Sequence, residues 1–374
     1  MIQSMWISKI KTRGFRNLKD VNLTLPGQNR EAGVFVLYGK NGAGKTNFLE
    51  ALSLLSPGQG LHRDKLDNMT GEAHSQWSVF AELENPEGAH KVGMLYSKKR
   101  RHIRIDGEDV NQQSALAELG SILWFTPEMD RLFAGSPAGR RRFYDRLVFS
   151  VNPKHAAALS GYTRHIQHRS KLLKTHNPDP QWLEIEEGKA AGYAVAVVRA
   201  RIDYLKSLRD HLDEVHLDLK GSAENMAFDE ADNDALERLY TQKFAHNRER
   251  DARFGGNSFG PHRSDIAGEL EGVTPLERAS MGQHKRAMLL TLFAAAQLQK
   301  SRSERSDNVA PCLLLDEVAT HLDSAARDVL YEKLIPLGGQ VWLTGTEKEY
   351  FTGLQHAHFI HMQNGHPTLE ASHS

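Results

Sequence analysis

The chain has 374 residues, of which 40% are hydrophobic and 25% charged, and these values exclude a disordered or low-complexity protein. Its 47 lysines and arginines balance 47 aspartates and glutamates, so the net charge is zero and a uniformly basic nucleic-acid binder is excluded. The longest apolar stretch, 287–296, is too short to cross a bilayer, and the first residues lack the apolar core of a secretory signal, so we expect a cytoplasmic protein without a membrane partner.

The first third of the chain is rich in short apolar or alternating segments broken by Gly, Pro and Asn. Such segments predict strands at 6–11, 20–25, 34–38, 77–83 and 91–96. One amphipathic stretch interrupts them and predicts an early helix at 45–55.

The pattern becomes mainly helical from Pro137 to about Arg253, with Ser136 as the expected cap. After Phe254 the sequence predicts an apolar helix at 283–300, buried strands at 312–315 and 340–344, and a terminal hairpin at 364–365. We therefore predict an α/β chain with two domains. Residues 1–125 and 255–374 form a head, and residues 126–254 form an inserted, mainly helical lobe.

The strongest chemical signal is the sequence GKNGAGKT at 39–46, between the predicted strand 34–38 and the predicted helix. It is a P-loop in its required context, in which backbone N–H groups face nucleotide phosphates. Lys45 adds a charge at the β- and γ-phosphates, and the Thr46 hydroxyl can ligate Mg²⁺. A glycine-rich turn that only caps a helix would need no lysine. The candidate phosphate-binding residues of the loop are Gly39, Asn41, Gly42, Gly44, Lys45 and Thr46.

Two adjacent acids follow the apolar run at 313–315. Ligand sites of parallel sheets lie at the carboxyl ends of the strands. We expect Asp316 to hold Mg²⁺ directly or through water, and Glu317 to polarise the water that attacks the γ-phosphate. The alternative is a pair of solvated acids at a strand end.

Ser280-Met281-Gly282-Gln283 precedes the apolar helix and has the spacing of a capping box, with Ser280 as the cap and Gln283 at the third helical position. Beside the two phosphate-site motifs it also resembles the signature motif of ATP-binding-cassette ATPases. That resemblance implies that Ser280, Gly282, Gln283 and the helix N-terminus contact the γ-phosphate bound to the opposite subunit. The segment ATHLD at 319–323 resembles the D-loop of the same interface, which adds Asp323 to the candidate nucleotide site.

Further motifs narrow the resemblance to the RecF family, bacterial DNA replication and repair ATPases related to the heads of SMC and Rad50 proteins. These motifs are FRNL at 15–18, FTPEM at 125–129, GSP at 135–137, RRRFYD at 140–145, FGPHRSD at 259–265 and VWLTGT at 341–346. The resemblance covers residues 6–365. It implies an ABC-type P-loop ATPase head with mixed sheets, a signature helix at about 280–300, an inserted helical lobe and no long coiled coil.

The family resemblance also implies a function. Two copies would close as an ATP-dependent homodimer around two ATP and two Mg²⁺, and the closed dimer would hold double-stranded DNA near gapped junctions. Slow, DNA-stimulated hydrolysis would release it, and RecR with RecO would be the partners in loading the recombinase RecA. A nucleoid-associated location follows from such a role.

Two other functions remain open. One is a nucleotide-gated DNA-binding module whose hydrolysis is incidental. The other is a transporter ATPase subunit, which is disfavoured because the glutamine and histidine of transporters are replaced by FTPE at 125–128 and TGT at 344–346. Glu128 is a further candidate near the metal, or a plain surface acid.

Because the net charge is zero, DNA contacts must come from local basic clusters. The candidate contacts are Arg140, Arg141 and Arg142 in the first turns of a predicted helix. Lys98–Arg101 lies at a predicted hairpin, and Arg164, Arg169, Lys171 and Lys174 add charge to the helical lobe. A solvated charged face is the alternative for each cluster.

Overall fold

The computed structural model describes residues 5–27, 33–272, 274–303, 311–319, 324–337, 339–354 and 356–371. Its strands are β1 (Trp6–Arg13), β2 (Val21–Thr24), β3 (Val34–Tyr38), β4 (Trp77–Asn85), β5 (Gly88–Ser97), β6 (Arg100–Ile105), β7 (Glu108–Val110), β8 (Ile122–Phe125), β9 (Val215–Lys220), β10 (Asp265–Leu270), β11 (Thr274–Pro275), β12 (Cys312–Leu315), β13 (Val341–Gly345), β14 (His358–Gln363) and β15 (His366–Leu369). Its helices are α1 (Lys45–Ser53), α2 (Leu116–Leu119), α3 (Pro137–Phe149), α4 (Lys154–Leu173), α5 (Pro180–Arg209), α6 (Ser222–Asp229), α7 (Asn233–His246), α8 (Arg248–Phe254), α9 (Met281–Ser303) and α10 (Ser324–Leu334).

The chain forms two compact units, and the first consists of Met1–Asp130 with Leu292–Ser374. It holds two six-stranded sheets. One is antiparallel, in the order β2-β1-β4-β5-β6-β7. The other has the order β15-β14-β3-β13-β12-β8, in which every neighbouring pair is parallel except β14 with β15.

One apolar core joins the two sheets of the first unit. Trp6 of β1 contacts Phe35 of β3 edge-on, with ring centroids 5.8 Å apart, and Phe35 stacks on Trp342 of β13 at 4.7 Å. The buried Gln340 amide, just before β13, accepts a hydrogen bond from Ile7 N at 3.1 Å and donates to Ile7 O at 3.0 Å. The ring of Phe35 and the amide of Gln340 thus connect β1 to the strands of the mixed sheet.

The second unit, Arg131–Thr291, contains most of the helices and the antiparallel sheet β11-β10-β9. Its interior holds paired charges. Arg201 binds Asp145 through two hydrogen bonds of 2.8 and 2.9 Å, and Arg169 binds Glu187 at 2.9 Å and Asp251 at 2.8 Å. Buried guanidinium groups are stable only when carboxylates pair with them, so these pairs tie the helices together.

The α/β architecture predicted from the sequence, with mixed sheets and a mainly helical insertion, is confirmed. In the described part of the chain the longest helix is α5, with 30 residues, so no long coiled coil is present there. The strand β9 lies inside the segment predicted to be mainly helical and was not predicted. Because β9 pairs with β10, the compact second unit extends past residue 254 to Thr291, whereas the predicted lobe ends at 254. None of the described helices has the length and apolarity needed to cross a membrane.

Candidate functional site

The P-loop and the acidic pair lie at one edge of the mixed sheet. The strand β13 lies between β3 and β12 and is parallel to both. The P-loop follows β3, Asp316 follows β12, and Thr344 lies near the end of β13. Carboxyl ends of parallel strands face the same side, so the sheet brings these residues together.

The backbone of the P-loop takes conformations that favour glycine. Gly39, Gly42 and Gly44 have φ angles of 151°, 78° and 104°. Lys45 begins α1, and its Nζ donates to the carbonyl oxygens of Gly39 at 2.7 Å and Lys40 at 3.1 Å. Burial lowers the pKa of the Lys45 ammonium, against the attraction of Glu317 and Asp316. A buried lysine above a glycine-rich turn is the arrangement that binds phosphate.

Asp316 joins the P-loop to the neighbouring strands. Its buried carboxylate accepts a hydrogen bond from Thr344 Oγ1 at 2.6 Å and from Thr46 Oγ1 at 3.0 Å. Burial raises the pKa of the Asp316 carboxyl, and the hydrogen bonds from the two threonines act in the opposite direction. The Asp316 carboxylate and the Thr46 hydroxyl therefore place oxygen atoms close together, and hard metal ions prefer oxygen ligands.

Glu317 follows in a left-handed conformation, with φ 49°, which costs a non-glycine residue about 1–3 kcal/mol. Its N–H donates to Thr344 Oγ1 at 2.8 Å, so one threonine hydroxyl orients both acids. The strained backbone sets Glu317 apart from an ordinary solvated acid at a strand end. Thr344 was missed as a site residue, although its place at the end of a buried predicted strand was a usable signal.

Two further ionisable side chains of the first unit, Glu128 and His62, lie close to each other. Glu128 lies on a 3-10 turn with 73% of its side chain exposed, and its Oε1 is 3.6 Å from His62 Nδ1. His62 is close enough to Asp316 to favour the charged carboxylate. No motif in the sequence points to His62.

The signature segment belongs to the second unit. Gln283 N donates to Ser280 Oγ at 3.3 Å, and Ser280 N donates to Gln283 Oε1 at 2.8 Å, so the predicted capping box is present. Ser280, Met281 and Gly282 are exposed, and a Cβ added at Gly282 would meet no atom within 4 Å. The helix N-terminus is therefore open to a partner. Asp323 lies outside the described residues.

The arginine cluster at the start of α3 is not a uniform basic surface. Arg140 is buried, with Nε and Nη2 on the Asp265 carboxylate at 2.7 Å and Nη1 on two backbone carbonyls at 2.7 Å. Arg141 is half-buried and donates to Ser264 O at 2.6 Å, whereas Arg142 is exposed. The geometry argues against the predicted DNA contact at Arg140, because its donors are already used inside the protein.

Other basic side chains also differ in whether they are buried or exposed. Arg169 is fully buried in ion pairs, so the interpretation of this residue as surface charge was wrong. Lys98, Lys99 and Arg100 are exposed at the turn between β5 and β6. His262 contacts Tyr162 and Asn257 within the second unit.

Known sequences match the chain over nearly its whole length. The family described as the RecF/RecN/SMC N terminal domain matches residues 6–368. The DNA replication and repair protein RecF of Allorhizobium ampelinum is 35% identical over 385 residues, covering 99% of this chain and 100% of the relative. RecF of Rhizobium etli strain CIAT 652 is 36% identical over 375 residues, with coverages of 96% and 97%.

Solved structures resemble the chain in fold. The recombination mediator protein RecF in its ATP form matches with a TM-score of 0.85 and 21% identity, covering 99% of each chain. The Smc head domain of Pyrococcus furiosus, solved with the C-terminal domain of ScpA, matches with a TM-score of 0.54 and 14% identity, covering 98% of this chain and 96% of that one.

Proposed function

Because the chain belongs to the RecF family, within the group of RecF, RecN and SMC N-terminal domains, we propose that it is a DNA repair ATPase that binds and hydrolyses ATP at the P-loop. The observation that carries this proposal is the contact between Thr46 of the P-loop and Asp316 of β12, which Thr344 of β13 supports. The three side chains come from three different segments and converge at the sheet edge where nucleotides bind.

The P-loop residues perform the phosphate binding. The N–H groups at the start of α1 face the phosphates, and the helix dipole favours their negative charge. Lys45 Nζ now binds the carbonyl oxygens of Gly39 and Lys40. In the complex it would exchange these acceptors for phosphate oxygens, which bind an ammonium more strongly than neutral carbonyls do.

The residues present fit a magnesium ion. Thr46 Oγ1 and the Asp316 carboxylate are oxygen donors 3.0 Å apart, and Mg²⁺ prefers such ligands. We propose that these two residues hold it. The ion would neutralise charge that develops on the phosphate oxygens.

Glu317 is the proposed base. Its backbone is fixed through Thr344, and its carboxylate follows directly after the residue proposed to hold the metal. From there it would orient a water molecule and accept its proton as the water attacks the γ-phosphate.

The second half of the site would come from another copy of the chain. Ser280 and Gly282 are exposed at the N-terminus of α9, where N–H groups are available to a γ-phosphate. We propose an ATP-dependent homodimer that closes on double-stranded DNA at gapped junctions and reopens after slow hydrolysis. RecR and RecO would be its partners in loading the recombinase.

Exposed cations support the proposed DNA binding. Lys98, Lys99, Arg100 and Arg142 have accessible charges, and contacts of this type to phosphates are independent of sequence.

Steady-state ATPase measurements with and without duplex DNA test the function. We expect slow hydrolysis that duplex DNA stimulates and that Lys45→Met abolishes. Lys40→Met is the matched control, because Lys40 is an exposed lysine of the same loop. Nucleotide-dependent DNA binding that persists unchanged when hydrolysis is blocked would favour the nucleotide-gated module, and absence of ATP binding would overturn the proposal.

A further inference from the structure

The turn between β14 and β15 reaches the P-loop from the far end of the chain. The strand β14 is parallel to β3, so it ends at the same edge of the sheet at which β3 leads into the P-loop. Asn364 and Gly365 form the turn, with left-handed φ angles of 50° and 77°. Gly365 N donates to Ala43 O of the P-loop at 2.9 Å, and Gly365 O accepts from Lys19 N at 3.0 Å.

Asn17 approaches the P-loop next to this turn. Its Nδ2 donates to Gly42 O at 3.0 Å, and its Oδ1 accepts from Asn47 Nδ2 at 2.7 Å. Two consecutive carbonyls of the P-loop, those of Gly42 and Ala43, are therefore bound by donors from outside the loop.

These two hydrogen bonds fix the orientation of two peptide planes. In a trans peptide the C=O and the N–H point in opposite directions. Because Ala43 O is bound by Gly365, the N–H of Gly44 points the other way. Because Gly42 O is bound by Asn17, the N–H of Ala43 is directed into the loop, where it donates to Lys40 O at 3.1 Å. A carbonyl that rotated inward would instead present negative partial charge to the phosphates.

The contact leaves no room for a larger turn residue. A Cβ added at Gly365 would lie 2.2 Å from Asn17 O and 3.1 Å from Leu18 Cα. A Cβ at Gly44 would lie 3.1 Å from Asn17 Oδ1 and 3.4 Å from Gly365 Cα. Three chain segments, at 17–19, 42–44 and 364–365, thus meet at van der Waals distance.

We propose that Asn17 and Gly365 are positioning residues for nucleotide binding: they hold the P-loop carbonyls away from the phosphates. This inference rests on the proposed binding of nucleotide by the P-loop. It assigns to the last hairpin of the fold a role in affinity for phosphate, in addition to its role in the sheet.

The test is the dissociation constant of the full-length chain for ATP and for ADP. Loss of one positioning hydrogen bond in Asn17→Ala should raise both constants about threefold to tenfold. Gly365→Ala should raise them by about tenfold or more, because a left-handed alanine and the contact with Asn17 O both displace the turn. Gly107→Ala is the matched control, since Asp106 and Gly107 form a left-handed turn between β6 and β7 with φ angles of 53° and 94°, and a Cβ at Gly107 meets nothing within 4 Å.

A double-mutant cycle separates positioning from general stability. Asn47 acts by holding Asn17 Oδ1, so Asn17→Ala with Asn47→Ala should bind nucleotide no more weakly than Asn17→Ala alone. The melting temperature without nucleotide should be the same for Asn17→Ala and the exposed control Asn22→Ala. If Gly365→Ala fails to fold, the dissociation constants of the Asn17 variants for ATP and ADP test the proposal by themselves.

Unchanged dissociation constants in folded Asn17→Ala, or equal effects of Gly365→Ala and Gly107→Ala, would overturn the positioning role. Failure of the unmodified protein to bind ATP and ADP would instead overturn the proposed function.

Discussion

At the scale of single residues, the candidate site depends on Thr344, which lies in the VWLTGT segment but was given no role in the site. Thr344 Oγ1 donates to Asp316 and accepts from Glu317 N, so it sets the geometry of both acids. The acids themselves could be predicted, because an apolar run followed by two carboxylates is a recognisable pattern. The place of Thr344 at the end of a buried predicted strand was a signal, but its contact with both acids depends on the order of strands in the sheet, which the sequence does not state.

Glu317→Gln tests the proposed base. The variant keeps the shape of the side chain and leaves Asp316 in place, so it should retain ATP while hydrolysis falls by roughly a hundredfold or more. Single-turnover hydrolysis and nucleotide retention measure the two effects. Glu128→Gln is the control, since its carboxylate is largely exposed, and it should hydrolyse ATP at nearly the unmodified rate. Normal hydrolysis by Glu317→Gln together with strongly reduced hydrolysis by Glu128→Gln would instead identify Glu128 as the base.

Asp316→Asn should raise the stability of the nucleotide-free protein and abolish ATP hydrolysis. Burial raises the pKa of this carboxyl, so the folded protein favours its protonated form and the charged form weakens folding. That cost is present above the folded pKa and is lost as the pH falls below the unfolded value of about 3.9. The amide removes the charge, so the nucleotide-free variant should be more stable than the unmodified protein.

Denaturant unfolding measures this difference. The gain in free energy of unfolding should be larger at about pH 7 than at about pH 4, close to the unfolded pKa, and ATP hydrolysis should be lost. The exposed Asp20→Asn should show no such gain. A gain for Asp316→Asn that grows toward acid pH would contradict a raised pKa in the folded protein.

At the scale of secondary-structure elements, much of the first unit could be predicted. The P-loop lies between a strand and a helix as expected, and β12, β13 and α9 lie where apolar runs indicated them. The strand β9 was missed inside a helical segment. Its sequence, VHLDLK, alternates strictly, and its burial alternates too, so the signal was present. Its pairing with β10, far away in sequence, could not be read from local pattern.

The arginines of α3 illustrate the same limit. Three consecutive arginines in a helix point in three directions, so one is buried, one is half-buried and one is exposed. The pair of Arg140 with Asp265 ties α3 to β10 within the second unit. The sequence indicated charge but not which of these side chains would face the interior.

Arg140→Ala should therefore act on stability. Removing one partner of a buried ion pair should lower the free energy of unfolding by roughly 3 kcal/mol. Arg142→Ala should leave stability nearly unchanged, and if Arg142 contacts DNA the log-log salt slope of binding should fall by about 0.9. Denaturant unfolding and a salt titration of DNA binding measure the two effects. An Arg140→Ala variant with an unchanged free energy of unfolding and a reduced salt slope of DNA binding would instead support the predicted DNA contact at Arg140.

At the scale of the whole molecule, the residues proposed to act on the nucleotide come from both compact units. The P-loop, Asp316 and Glu317 belong to the first unit, and the exposed start of α9 belongs to the second. The family and fold could be predicted, because several separate motifs point to them together. The proposed closure of two copies around ATP would be a property of an assembly, which a single chain does not contain.

The central claim is that one copy's Lys45 works with the other copy's Ser280, and an equal mixture of Lys45→Met and Ser280→Arg proteins tests it. Each variant alone should be nearly inactive, since the first loses phosphate binding and the second places a bulky charge where the opposite γ-phosphate should bind. In random dimers half are mixed, and each mixed dimer has one intact site, so the ATPase rate of the mixture should recover to about a quarter of the unmodified rate. A mixture no more active than the mean of the separate variants, or full activity of Ser280→Arg alone, would contradict the shared site.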